Sequence, residues 1–271
     1  SEGRSFSEGI AEDFEVSFRE MTEEIVNSIS KGKLEELSLK NRYLPLRRII
    51  TSGDDICFVS EGRIGIECAK IFIDKLSSKA NKQDKQGYTA CAGVAIVHKN
   101  YPFYRAYELA EALCSRAKRF CATLDEGGNG AGLSAIDWHI SFGELEDDID
   151  SIISGEEKFL EREKIRRYDN FKKLMNVLQD DDDNYARGKI KNLRQILKKG
   201  ETSTNNYLKF NKIESVASRC YNDVFAPLDI SNIGKGKSPE GKLFVETSDG
   251  VNRSILFDGI EIMDTYLPVT D

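Results

Sequence analysis

At 271 residues and 30.5 kDa the chain holds one large or two modest domains, because single hydrophobic cores stop growing near about 250 residues. Apolar residues make up 39% and charged residues 31%, a balance that builds a core under a solvated surface and excludes disorder. The 39 basic and 46 acidic side chains leave a net charge of −7, which repels a polyanion on average and confines any nucleic-acid contact to a local basic patch.

No apolar stretch approaches the roughly 18 residues of a membrane span, and Ser1 to Asp13 carry no basic-then-apolar signal pattern, so neither a membrane partner nor secretion is expected. Cys57, Cys68, Cys91, Cys114, Cys121 and Cys220 are scattered, without a CxxC pair or zinc spacing. They read as reduced core thiols, which implies a cytoplasmic location. His98 and His139 stand apart and offer little material for a histidine triad or a zinc site.

From Phe6 to Ser30, Ile10, Phe14, Phe18, Met21, Ile25 and Ile29 recur at spacings of three and four, predicting a long amphipathic helix. Between Leu44 and Ser60, two β-branched runs are broken by Ser52-Gly53-Asp54-Asp55, the pattern of an antiparallel hairpin with a polar tip. Helical periodicity returns from Arg63 to Ser77 and a polar connector follows at Asn81 to Gly87. Tyr88 to His98 is a nearly continuous apolar run, expected as a strand buried on both faces. Pro102 opens the next helix, where its missing N–H costs nothing, with Ala106, Leu109, Ala110, Leu113, Ala117 and Phe120 as the buried stripe. The glycine-rich stretch Gly127 to Gly132 leads to a last strand at Leu133 to Phe142.

This order predicts an α+β layer fold with helices on one side of an antiparallel sheet, over residues 1–150. A ferredoxin-like palm opens on a central strand before its first helix; Ser1 to Ser5 are too few and too polar for one, so that strand is expected to be lacking in this chain. Residues 151–271 read as a mostly helical second domain. Glu156 to Leu178 is a charged helix, Asp180 to Asp183 an acidic run, and Ala186 to Lys199 a basic amphipathic helix without aromatic residues between its cations. Ile230 to Gly250 reads as a loop or hairpin, and the apolar segment Ile255 to Leu267 is expected to dock back on the body.

Asp54 and Asp55 are the leading site candidates. Adjacent carboxylates at a tight turn suit a hard divalent cation, which takes few protein oxygens beside those of a phosphate, although Gly and Asp also populate turns for conformational reasons alone. Taken together, ITSGDDICFV, AGVAIVHKNYPFYRAYELAEALCSRAKRF and SAIDWHISFGE resemble the palm polymerase/cyclase domain of the large subunit of type III CRISPR effectors, related to GGDEF cyclases, over roughly residues 6 to 146. LFDGIEIMDTY, Leu256 to Tyr266, is similar to the tail that follows this palm.

The resemblance implies a metal-dependent nucleotidyltransferase that makes cyclic oligoadenylate from ATP in CRISPR-like antiviral defence. Asp54 and Asp55 would be the catalytic pair holding Mg²⁺ or Mn²⁺, with Ser52, Gly53 and Lys118 at the nucleotide. Ser52 departs from the family's first glycine, and the absent first strand removes another metal-binding aspartate. A longer protein, a strand supplied by another chain, or an inactive nucleotide-sensing or assembly module of a defence complex all remain open. The expected partner is ATP or another nucleoside triphosphate, with RNA, a defence-complex protein and a second copy of the chain as further candidates. Arg116 and Arg119 read either as phosphate contacts or as complements to the helix dipole, Asp137 is expected to face solvent, and Tyr101, Phe103 and Tyr104 to pack under the sheet.

Overall fold

The computed structural model describes residues 2–37, 43–124, 134–141, 149, 165–179, 187–220, 245–246 and 252–270. The expectations for Gly127 to Gly132, Asp180 to Asp183 and most of Ile230 to Gly250 lie outside the described residues. The chain divides into two compact units: Ser1–Ile153 with Arg162–Ile165 and Thr265–Asp271, and Ser154–Glu161 with Arg166–Asp264.

The first unit begins with helix α1, Glu2–Ser30. Its row of Phe14, Ser17, Met21, Ile25 and Ser28 is buried, the outcome of spacings of three and four. That row meets helix α2, Gly65–Ser77, whose Ile66, Cys68, Ile71, Phe72, Ile73 and Leu76 are buried. Phe14 and Phe72 meet edge to face with ring centroids 5.6 Å apart. Polar ties flank the seam, Lys75 to Glu24 at 2.6 Å and the Tyr88 hydroxyl donating to Asp13 at 2.8 Å.

Strands β1, Leu46–Ser52, and β2, Asp55–Ser60, form the antiparallel hairpin, with Ser52 facing Asp55 and a bulge between Arg48 and Ile50. Strands β3, Cys91–Ile96, and β4, Ala135–Ile140, are joined through helix α3, Phe103–Leu124. They pair in parallel, Cys91 facing Ala135 through to Ile96 facing Ile140. This corrects the expected antiparallel sheet: a helix that crosses back over the strand it leaves delivers the next strand in the same direction. The strand at Cys91–Ile96 is half-buried along most of its length, where burial on both faces was expected, whereas β4 is buried throughout. Among the described residues β2 pairs with β1, β3 pairs with β4, and no pairing joins the two ladders.

Helix α3 seats on β3 at Gly93. A Cβ there would lie within the radius of the Ala110 carbonyl oxygen and 2.5 Å from the Cys114 nitrogen, so only glycine lets the two backbones meet. The last described residues also belong here. The buried Glu67 carboxylate accepts from the Tyr266 hydroxyl at 2.7 Å and the Val269 amide at 3.1 Å, and the Leu267 amide donates to the Arg63 carbonyl at 2.8 Å.

The second unit contains helices α4, Ile165–Leu178, α5, Arg187–Leu197, α6, Glu201–Asn211, α7, Glu214–Arg219, and α8, Ile255–Ile262, with the short antiparallel pair β5, Val245–Glu246, and β6, Asn252–Arg253. Phe171, Leu174, Leu193, Leu208, Leu256 and Ile262 are fully buried. Gly259 lets α8 approach α4, since a Cβ there would stand 2.8 Å from Leu174. The segment Ile255 to Leu267, expected to dock on the body, divides between the two units: α8 belongs to the core of this one, and the residues after Asp264 belong to the first.

Candidate functional site

The hairpin tip is a two-residue loop, Gly53-Asp54, between paired Ser52 and Asp55. Gly53 has φ +62°, and Asp54 is not among the residues with positive φ, the pattern of a II′ rather than a I′ turn. Only Gly53 therefore requires glycine. Ser52, at the end of β1, also keeps a negative φ, so its side chain is accommodated without backbone strain. Ser52, Gly53, Asp54 and Asp55 are all exposed, and nothing lies within 4 Å of where a Gly53 Cβ would be.

One face of α3 gathers around the start of β2. Tyr107, Glu111, Cys114 and Lys118 recur at four, seven and eleven residues, a single helical stripe. The Tyr107 hydroxyl donates to Glu111 at 2.6 Å. That bond pushes the phenol up to about 12, and the charges of Cys57 and Asp55 act in the same direction. Burial raises the Cys114 thiol; Lys118 pulls it down, while Asp55 and Glu111 push it up. Burial and then Glu111 raise the Cys57 thiol on β2. The predicted metal carboxylate Asp55 and the predicted phosphate cation Lys118 thus act on the same thiol, 59 and 4 residues away from it in sequence. Glu111 was missed by sequence reasoning. Its signal was the helical stripe it shares with Lys118, seven residues on.

Other candidates fall elsewhere. Asp137 is fully buried, and Arg116 holds both its oxygens, Nε on Oδ2 and Nη2 on Oδ1 at 2.9 Å. This corrects the solvent-facing expectation and commits Arg116 to a carboxylate rather than a phosphate, because α3 lies across the face of β4 that carries Asp137. Phe103 and Tyr104, expected under the sheet, are exposed at the start of α3. Cys91 and Cys121 bring their sulfurs to 3.8 Å, and burial pushes the Cys91 thiol up to about 12.

Asp54 and Asp55 suit Mg²⁺ or Mn²⁺ by donor chemistry, as exposed hard oxygens. Among the described residues no group of three or more His, Cys, Asp or Glu that could hold a metal ion is found.

The basic helix α5 is partly neutralised within its own unit. Arg187 and Lys191 pair with Asp264, the former at 3.1 Å, and Arg194 pairs with Glu261 at 2.7 Å while lying 4.1 Å over the Phe257 ring. Among the described residues no helix is long and apolar enough to cross a membrane. Comparison with protein-family models and with curated proteins finds no match.

Proposed function

We propose that the first unit is a nucleotide-binding palm that acts on ATP as a metal-dependent nucleotidyltransferase, making cyclic oligoadenylate-type products in CRISPR-like defence. The observation that carries this reading is the exposed Gly53-Asp54-Asp55 turn, whose Asp55 acts electrostatically on Tyr107 and Cys114 of α3, the helix stripe that also bears Glu111 and Lys118. Asp54 and Asp55 would hold the divalent cation, which supplies charge neutralisation on the transferring phosphate and lowers the pKa of the attacking oxygen. Lys118 contributes a point charge for triphosphate oxygens. Tyr107 holds Glu111 in place through its hydroxyl.

The test is incubation of the whole chain with labelled ATP and Mg²⁺ or Mn²⁺, with and without RNA. A cyclic or linear oligoadenylate that disappears in Asp54→Asn and Asp55→Asn supports the proposal; no product under any of these conditions rejects turnover. Titration calorimetry then separates a second reading, favoured by the lack, among the described residues, of a group of three or more ligating side chains, in which the palm senses nucleotide without turnover. That reading expects ATP binding which falls about tenfold in Lys118→Ala, the scale of one charge-assisted contact, and no product.

A further inference from the structure

Between Arg187 and Lys212 the sequence carries eight basic residues and one acidic residue, Glu201, in a chain whose net charge is −7. Asp264 and Glu261 occupy Arg187, Lys191 and Arg194. Lys189, Lys198, Lys199, Lys209 and Lys212 remain outside the ion pairs given among the described residues, and Lys198, Lys199, Lys209 and Lys212 are exposed. Helices α5 and α6 pack side by side, and the contact is polar at one end: Lys189 donates to the Asn211 carbonyl at 3.0 Å and Tyr207 donates to the Lys189 carbonyl at 2.9 Å. Asn211 lies between Phe210 and Lys212, so α5's Lys189 stands at the end of α6 where Lys209, Phe210 and Lys212 follow one another.

Phe210 is 87% exposed, more than any other large apolar side chain among the described residues. Lysines at a helix C-terminus complement its dipole, which accounts for Lys209 and Lys212. The dipole does not account for a phenyl ring left in water between Lys209 and Lys212 in the sequence, at the end of α6 that Lys189 reaches through the Asn211 carbonyl. An aromatic face flanked by cations is the arrangement that takes a base by stacking and its phosphates by charge.

We propose that this end of the α5–α6 pair binds single-stranded nucleic acid, with Phe210 as the stacking platform and Lys189, Lys209 and Lys212 on the phosphates. A duplex fits poorly, because its bases are already stacked and offer no free face to the ring. The site is independent of the hairpin, so Asp54→Asn leaves it unchanged and the two proposals stand or fall separately.

Fluorescence anisotropy with the whole chain tests it, using labelled oligouridylate and oligothymidylate of about ten nucleotides, within the roughly 4–16 nucleotides of small single-strand sites. A paired RNA of the same length and inorganic polyphosphate serve as the other arms, across a potassium chloride series. The expected result is single-strand binding that weakens with salt. Phe210→Ala should lower affinity roughly tenfold with the salt slope unchanged, the scale of one lost base stack. Lys209→Gln with Lys212→Gln should flatten the slope of log affinity against log salt by about 1.4. Similar uptake of RNA and DNA assigns the site to the shared base and phosphate chemistry, and preference for RNA adds the 2′-hydroxyl. Both variants alter exposed residues, and an unchanged melting temperature confirms that they fold. Absence of binding at low salt, equal binding of duplex and polyphosphate with no effect of Phe210→Ala, or indifference to both variants each overturns the proposal.

Discussion

Tyr88 and Tyr107 share one arrangement, a phenol donating a hydrogen bond to a carboxylate, Asp13 in one case and Glu111 in the other. For Tyr88 burial comes first and the Asp13 bond second; for Tyr107 the Glu111 bond comes first; both phenols are pushed up to about 12. The folded state therefore keeps these protons after unfolded tyrosines, with pKa near about 10, have lost theirs. The stability they contribute is complete below pH about 10 and is lost as pH rises toward 12. Absorbance at the phenolate band should show Tyr88 and Tyr107 titrating late, and Tyr107→Phe should remove one late step. At Asp137 the scale is energetic. Asp137→Ala leaves Arg116 without the carboxylate that holds it from two nitrogens, and urea unfolding should show a loss of about 3–5 kcal/mol. Asp137 was not legible in its own sequence neighbourhood, because its partner is 21 residues away and the two meet only when α3 lies over β4.

Among the elements, α1 and the hairpin were the most legible. The spacing of Phe14, Met21 and Ile25 is a property of one helix, and Gly53-Asp54 is a property of one turn, so neither needs the rest of the chain. The direction of β3 relative to β4 was not legible, since an apolar run reads alike in either orientation and the helix between them decides. The seat of α3 on β3 is the sharpest constraint at this scale. Gly93→Ala drives a methyl into the Ala110 carbonyl and the Cys114 nitrogen, both backbone atoms that no rotamer change relieves. The expected outcome is a loss above about 4 kcal/mol, in the exceptional range for one substitution, read as a collapsed thermal transition or insoluble expression. Gly259→Ala meets flexible Leu174 and Leu178 side chains and should cost about 1–3 kcal/mol, because side chains repack where backbone does not.

Across the whole molecule, the chain is closed by contacts some two hundred residues apart in sequence. Glu67 at the start of α2 accepts from Tyr266, Val269 and Thr270, and Ser28 of α1 donates to the Val269 carbonyl. Glu67→Ala leaves several of these donors without an acceptor in a buried place, at about 1–3 kcal/mol for each unsatisfied group. Hydrogen exchange should show the amides of Val269 and Thr270 losing protection, with the exposed hairpin tip unaffected; unchanged protection would place the tail's hold elsewhere.

The sequence by itself determined the α+β class, the helical periodicities and the Gly53-Asp54 turn, because each follows from residues within a few positions of one another. Tertiary structure alone decided that β3 and β4 run parallel and that Asp137 is buried on Arg116. It also decided that Asp55, Glu111 and Lys118 act on one thiol, and that Lys189 reaches the Asn211 carbonyl at the end of α6. These are juxtapositions of distant residues, and they come from where packing brings helices and strands together, which local propensity does not specify.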